Sequence, residues 1–181
     1  GRVYGWSLSG GWFYTPGQGH ELIPGTRHMA LHNNDGSLLA GSVLDTGTGQ
    51  FVPGYWTRNA GVQLLPVVDP LRANQIRGMS DDGSIIIGTE GGVHVVWVDQ
   101  GPSVPIEVFL EANGVDLNGW TILQISDISA DGRTLVGEGR HESWFVPGEF
   151  RTEALVITIP APGAAVLAGV SFVLMPRRRR S

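Results

Sequence analysis

The chain has 181 residues, with 27 Gly, 11 Pro, no Cys and no Lys, and a formal net charge of −5. With 41% hydrophobic residues, it lies outside the apolar-poor, charge-rich composition of disordered chains. A disulfide scaffold and a cysteine metal site are excluded. The glycine and proline content suits a β-protein with many tight turns.

In chain order, the first predicted unit opens with Gly1-Arg2-Val3-Tyr4-Gly5 and continues into Trp12-Phe13-Tyr14-Thr15-Pro16-Gly17. Gly1-Arg2-Val3-Tyr4-Gly5 is a shortened form of a template that recurs three times. The full copies are Asn34-Asp35-Gly36-Ser37-Leu38-Leu39-Ala40-Gly41, Asp81-Asp82-Gly83-Ser84-Ile85-Ile86-Ile87-Gly88 and Ala130-Asp131-Gly132-Arg133-Thr134-Leu135-Val136-Gly137. Asp-Gly supplies a tight turn in which Gly accepts positive φ. The apolar residues after it suit a short buried strand, and the closing Gly lets the backbone approach a neighbour.

Each template leads to an aromatic followed by a turn: Trp12, Trp56, Trp97 and Trp144, four or five residues before Gly17, Gly61, Gly101 and Gly148. A third apolar run follows, at residues 21–23, 62–65, 104–110 and 154–159. The predicted unit is strand, strand, turn, strand, with a period of 36 to 49 residues. That period fits β-propeller blades. Residues 106–112 are the exception: their apolar spacing predicts a short helix ended by Asn113-Gly114.

The expected fold is all-β. It is a propeller-like repeat array over residues 1–158, divided at about 1–33, 34–80, 81–129 and 130–158. It amounts to four blades or part of a larger propeller, followed by a C-terminal hydrophobic helix within 159–181. The first template lacks its Asp, which favours further blades before Gly1. An incomplete propeller leaves a strand edge that invites pairing with other chains.

The last segment differs in kind. Pro160-Ala161-Pro162-Gly163 precedes an uncharged run from Ala164 to Met175, and Arg177, Arg178, Arg179 and Arg180 follow. The run is shorter than the roughly 20 residues of a spanning helix. The arginines behind it suit a membrane-inserted segment held from the cytoplasmic side. Residues 1–176 carry eight arginines against 17 acids, a formal −9. So acidic a body argues against a nucleic-acid partner.

This tail resembles a PEP-CTERM sorting signal, with Ala161 where that family usually has Glu. The resemblance implies export in a Gram-negative-type bacterium and recognition by an exosortase at the inner membrane. Processing near residues 160–163 and release to the cell surface or outside the cell would follow. Residues 1–158 resemble HAF-type repeats of bacterial extracellular proteins, most closely in Gly114-Val115-Asp116-Leu117-Asn118-Gly119-Trp120-Thr121 leading into Ser129-Ala130-Asp131-Gly132-Arg133-Thr134. That family is thought to form β-propellers, which implies a surface or matrix role with exopolysaccharide or other surface proteins as partners.

No catalytic motif emerges, and neither a cofactor nor a metal is expected. His28 and His32 are four apart but sit in a segment with little helix signal, so they read as strand-end histidines. The acids of the three turns lack the alternating oxygen donors of a calcium loop. Repeat-registered tryptophans suit a core, which leaves Trp6 and Trp120 as the better ligand candidates. The leading expectation is a non-enzymatic interaction or structural module. Its rivals are a glycan hydrolase or lyase with a pocket of convergent acids and arginines near Arg77, Arg133, Glu138 or Arg140 (Glu138 and Glu142 are paired carboxylates by sequence proximity alone), a glycan-binding propeller, and an array that assembles edge to edge.

Overall fold

Short apolar runs separated by glycine turns build antiparallel meanders throughout the described residues. A computed structural model describes residues 3–7, 9–72, 74–143 and 147–161. Among these the protein is all-β apart from one helix, with 14 strands in four antiparallel sheets.

The first sheet holds β1 (Val3–Ser7), β2 (Gly10–Thr15) and β3 (Gly19–Ile23). The second holds β4 (Thr26–His32), β5 (Leu38–Asp45), β6 (Gln50–Thr57) and β7 (Gly61–Leu64). The third holds β8 (Asn74–Met79), β9 (Ile85–Glu90), β10 (Val93–Val98) and β11 (Ser103–Pro105). The fourth holds β12 (Thr121–Ile128), β13 (Thr134–Glu142) and β14 (Phe150–Thr158). Strand order follows the chain in every sheet.

The template strands are β1, β5, β9 and β13. In the last three sheets the strand before the Asp-Gly turn pairs with the template strand. The sheets therefore divide the chain one strand earlier than the template does, and the two middle units have four strands rather than three. The first sheet has no such leading strand among the described residues.

Successive sheets pack face to face, and each seam is a hydrophobic cluster. Phe13, Ile23, Met29, Leu39 and Val43 fill the first seam. Leu38, Ala40, Ile86, Val95 and Trp97 fill the second. Ile87, Val96, Ile122, Ile125, Leu135, Leu155 and Ile157 fill the third. Full burial of each such side chain contributes about 1.5–3 kcal/mol, so the seams are the main driving force holding the sheets together.

The helix α1 (Ile106–Ala112) bridges β11 and β12 and buries Ile106 and Leu110 in the third seam. It ends as expected: the Asn113 N–H reaches the Phe109 carbonyl, and Gly114 follows at φ +77°. No helix among the described residues is long and apolar enough to cross a membrane. The apolar run after Ala161 lies outside the described residues, as do Pro162, Gly163 and Arg177 to Arg180.

Candidate functional site

The three Asp-Gly turns form one continuous structure. In the third sheet the Ser80 hydroxyl donates to Asp82 Oδ1 (2.6 Å), and its oxygen accepts the Ile85 N–H (3.0 Å). Asp82 Oδ1 also accepts the Ser84 N–H at 2.9 Å. The fourth sheet repeats this with Ser129, Asp131, Arg133 and Thr134. The second uses Asn33 in place of Ser: Asn33 Oδ1 accepts the Leu38 N–H (2.9 Å), and Asp35 accepts the Ser37 N–H (2.9 Å).

These bonds favour the ionised carboxylates. The Ser37, Ser80 and Ser129 side chains, followed by backbone N–H donors, hold Asp35, Asp82 and Asp131 below the ordinary carboxylate range. The acids thus close their own turns. No cluster of three metal-ligating side chains exists among the described residues.

The turns are also joined to one another. The Asn34 N–H donates to the Asp81 carbonyl at 2.8 Å, and the Asp81 N–H donates to the Ala130 carbonyl at 2.8 Å. Asn34, Asp81 and Ala130 hold the same place in their repeats. A single-file backbone ladder therefore runs across three sheets.

The turn glycines explain the close stacking. Gly36, Gly83 and Gly132 lie at φ +66°, +73° and +71° and are buried in otherwise exposed turns. A Cβ on Gly83 would meet Leu38 and Asn33, and one on Gly132 would meet Ile85 and Ser80. Each turn rests on the equivalent residues of the sheet before it. On the first sheet Tyr4 fills that place, its hydroxyl donating to the Gly36 carbonyl at 3.4 Å.

The closing glycines serve a second contact. A Cβ on Gly41, Gly88 or Gly137 would fall 2.5, 2.1 or 1.9 Å from the carbonyl oxygen of His28, Gln75 or Gln124. All three carbonyls belong to the leading strands β4, β8 and β12, beside their β-bulges. Only glycine admits that approach.

The tryptophans divide. Trp56 lies opposite Leu39 and Trp97 opposite Ile86. Trp97 is fully buried, and its indole N–H donates to the Pro66 carbonyl at 2.8 Å. In the first sheet the equivalent position, opposite Val3, holds Tyr14; Trp12 lies two residues away, opposite Gly5. Trp144 lies outside the described residues, and β14 is the strand that pairs with β13.

Trp120, expected as a ligand candidate, belongs to the core instead. It is 8% exposed, meets the His141 ring at a tilt with centroids 4.2 Å apart, and packs over Gly139. Trp6 is 51% exposed and meets the His28 ring edge-on at 4.4 Å. His32 meets the Tyr4 ring at a tilt, with centroids 4.7 Å apart. The two histidines thus face aromatic rings of β1, in a strand rather than a helix.

The residues of the enzymatic reading stay dispersed. Glu138 and Glu142 are four residues apart along β13, roughly 13 Å by strand rise. Glycosidase carboxylates are separated by about 5–9.5 Å. Arg140 lies over the Phe150 ring at 5.2 Å, and Glu142 Oε1 accepts the Gly148 N–H at 2.6 Å. Arg77 sits in the β8 bulge and Arg133 in the last Asp-Gly turn.

Sequence reasoning missed the residue two places before each Asp: Asn33, Ser80 and Ser129. Ser80 and Ser129 did carry a signal, as the repeated Ser-x-Asp-Gly. The inter-turn ladder left none, since backbone groups have no side-chain signature. No family model, curated protein or solved structure matches this chain.

Proposed function

We propose that this chain is a non-enzymatic, exported repeat protein of propeller type, acting as an interaction or structural module at the cell surface or in the extracellular matrix. The observation that carries the reading is the stitched turn ladder. The most regular acidic residues in the sequence are consumed in closing their own turns, and the backbone of those turns joins sheet to sheet, so the repeat serves a scaffold. Four meander sheets joined in chain order, seam by seam, are how propeller blades succeed one another, and the repeat length agrees. The HAF-type resemblance points to the same architecture and to an extracellular setting.

The tail supplies the destination. Pro160, Ala161, Pro162 and Gly163, the apolar run and Arg177 to Arg180 fit a PEP-CTERM-like signal read by an exosortase at the inner membrane. Removal of the tail near residues 160–163 would leave an acidic body of formal charge −9, eight arginines against 17 acids, without the basic tip. Exopolysaccharide or neighbouring surface proteins are the partners this setting offers.

The test uses tagged full-length protein and a variant lacking residues 160–181, each expressed in a Gram-negative host with and without an exosortase. Full-length protein is expected to be cleaved and to leave the membrane only with the exosortase, and the truncated form to be neither processed nor retained. Processing and membrane retention unaffected by the deletion would refute the sorting role.

A further inference from the structure

Five peptide bonds in this chain join aspartate or asparagine to glycine: Asp35-Gly36, Asp82-Gly83, Asn113-Gly114, Asn118-Gly119 and Asp131-Gly132. In such a pair, attack by the glycine nitrogen on the preceding side-chain carbonyl carbon closes a succinimide ring. Glycine permits it because no Cβ crowds the nitrogen or restrains the backbone around it. The reaction needs an untied glycine N–H, an electrophilic side chain and a turn that can open. The structure separates the five pairs on these grounds.

The Asp-Gly turns are closed to the reaction. The N–H groups of Gly36, Gly83 and Gly132 donate to the carbonyls of Asn33, Ser80 and Ser129 at 3.0, 2.9 and 2.9 Å, and all three glycines are buried. The aspartates already accept the N–H groups of Ser37, Ser84 and Arg133. Those bonds favour the carboxylate anion, which repels a nucleophile.

Asn113-Gly114 is held by the end of α1. The Gly114 N–H donates to the Glu111 carbonyl at 2.9 Å. The Asn113 side-chain amide donates to the Phe109 carbonyl at 2.8 Å. Attack there would break the first bond and pull the side chain from the second.

Asn118-Gly119 is built differently. Both residues are exposed, at φ +49° and +81°. They are the central pair of a turn closed by the Trp120 N–H on the Leu117 carbonyl at 2.9 Å, with positive φ at both places as Asn-Gly turns favour. Among the described residues the Gly119 N–H forms no hydrogen bond. The Asn118 side-chain amide reaches only the Asp116 carbonyl, at 3.4 Å. The other tie, from the Asn118 N–H to Asp116 Oδ1 at 2.8 Å, leaves the glycine nitrogen untouched. Exposed turns with few buried contacts open locally, and opening this one frees the nitrogen to reach Asn118 Cγ at no cost in bonds to that nitrogen.

We propose that Asn118 is a site of spontaneous deamidation, converting with time to aspartate and isoaspartate. The Gly119 nitrogen bonds to Asn118 Cγ, the Cγ–Nδ2 bond breaks, and ammonia leaves with the proton from Gly119. Water then opens the ring. Opening at Cγ leaves an ordinary aspartate. Opening at the backbone carbonyl leaves isoaspartate, in which the chain runs through Cβ and Cγ and is longer by a carbon.

The position gives the change a structural consequence. Trp120, the next residue but one, is 8% exposed and fills the third seam with Ile122 and Leu155, and Leu117 packs against the same cluster. The added carbon lengthens the turn between Leu117 and Trp120, and a new carboxylate stands two residues from Asp116. Both act against the bond that seats the indole. The inference stands on the turn geometry alone and is independent of the sorting role.

The full chain would be aged for days at mildly alkaline pH, folded and in urea, and mapped by peptide mass spectrometry. Electron-transfer fragmentation locates isoaspartate. In the folded protein Asn118 is expected to exchange NH2 for OH several times faster than Asn113, while Asp35, Asp82 and Asp131 stay unisomerised. In urea the two Asn-Gly pairs should react at comparable rates, because the fold makes the difference. Wild type enriched in isoaspartate should melt below fresh protein. N118G, which keeps a glycine in the left-handed place, should hold its melting temperature on ageing. The inference is overturned if Asn118 stays intact, if Asn113 keeps pace with it in the folded protein, or if urea preserves the same difference in rate. It is equally overturned if the isoaspartate form melts with fresh protein.

Discussion

Substituting Gly88 by Ala puts the closing-glycine contact to a quantitative test. The added methyl carbon would stand 2.1 Å from the Gln75 carbonyl oxygen and 3.0 Å from the Trp97 ring. The first neighbour is backbone and has no rotamer to escape into. Either β8 moves off β9 or β9 twists, and both disturb the second seam, with fully buried Ile86 and Trp97, and the third, with Ile87. Overpacking of a filled interior costs about 1–3 kcal/mol, and a clash with main chain belongs at the upper end. For a chain of this size about 3 kcal/mol lowers the melting temperature by roughly 6–12 °C. Gly47 is the control, because a Cβ there meets only Asp45 Oδ1, at 3.3 Å. Gly47→Ala should change stability by less than about 1 kcal/mol. Thermal and urea unfolding followed by circular dichroism would read both. Equal melting of Gly88→Ala, Gly47→Ala and wild type would refute the close-approach argument.

Further expectations concern the turns. Ser80→Ala removes the donor to Asp82 and strands the Ile85 N–H at a buried site. It should cost about 1–3 kcal/mol, read as an earlier urea midpoint at unchanged slope. Trp97→Phe leaves the Pro66 carbonyl without its indole donor and opens space in the second seam, so it should destabilise by a similar amount, checked by the same titration. Acid should act through Asp35, Asp82 and Asp131. Their folded pKa values lie below the 3.8 of a free carboxyl, so their contribution is complete above that value and is lost as pH falls through the lower folded values. The melting temperature is expected to hold from neutral pH to about 5 and to drop below about 4. Asp82→Asn should be less stable at neutral pH and show a shallower acid decline; an unchanged acid limb would contradict the assignment.

Much of this fold was legible because glycine is hard to disguise. Asp-Gly and the closing Gly mark β5, β9 and β13 directly, and the spacing of residues 106–112 with Asn113-Gly114 gave α1 to the residue. The leading strands were harder. In β12 the buried residues are Ile122, Ile125 and Ile128, a spacing of three that two bulges impose on an extended strand and that no alternation rule detects. Bulges in β4 and β8 blur those strands as well.

Aromatic spacing misled for a related reason. Counting back from the next glycine assigned Trp12 and Trp144 to the place of Trp56 and Trp97, whereas pairing is counted across the sheet and puts Tyr14 and Ile157 there. Trp120 looked free of the repeat and therefore available for a ligand. It follows an inserted helix, and the insertion folds back to fill the third seam. Of the turn site, the acids and glycines were visible, but their joining across sheets is a matter of backbone groups alone.

The ladder is the central claim, and amide hydrogen exchange at Asn34 and Asp81 tests it most directly. Both residues sit in solvent-exposed turns, where an unbonded amide exchanges at the rate of a free chain. If the turns are stitched through the Asp81 and Ala130 carbonyls, these two amides should be protected to the same degree as the strand amides of β5 and β9. Exchange at the rate of a free chain would show that the turns only lie side by side, and the account of a continuous scaffold would fail.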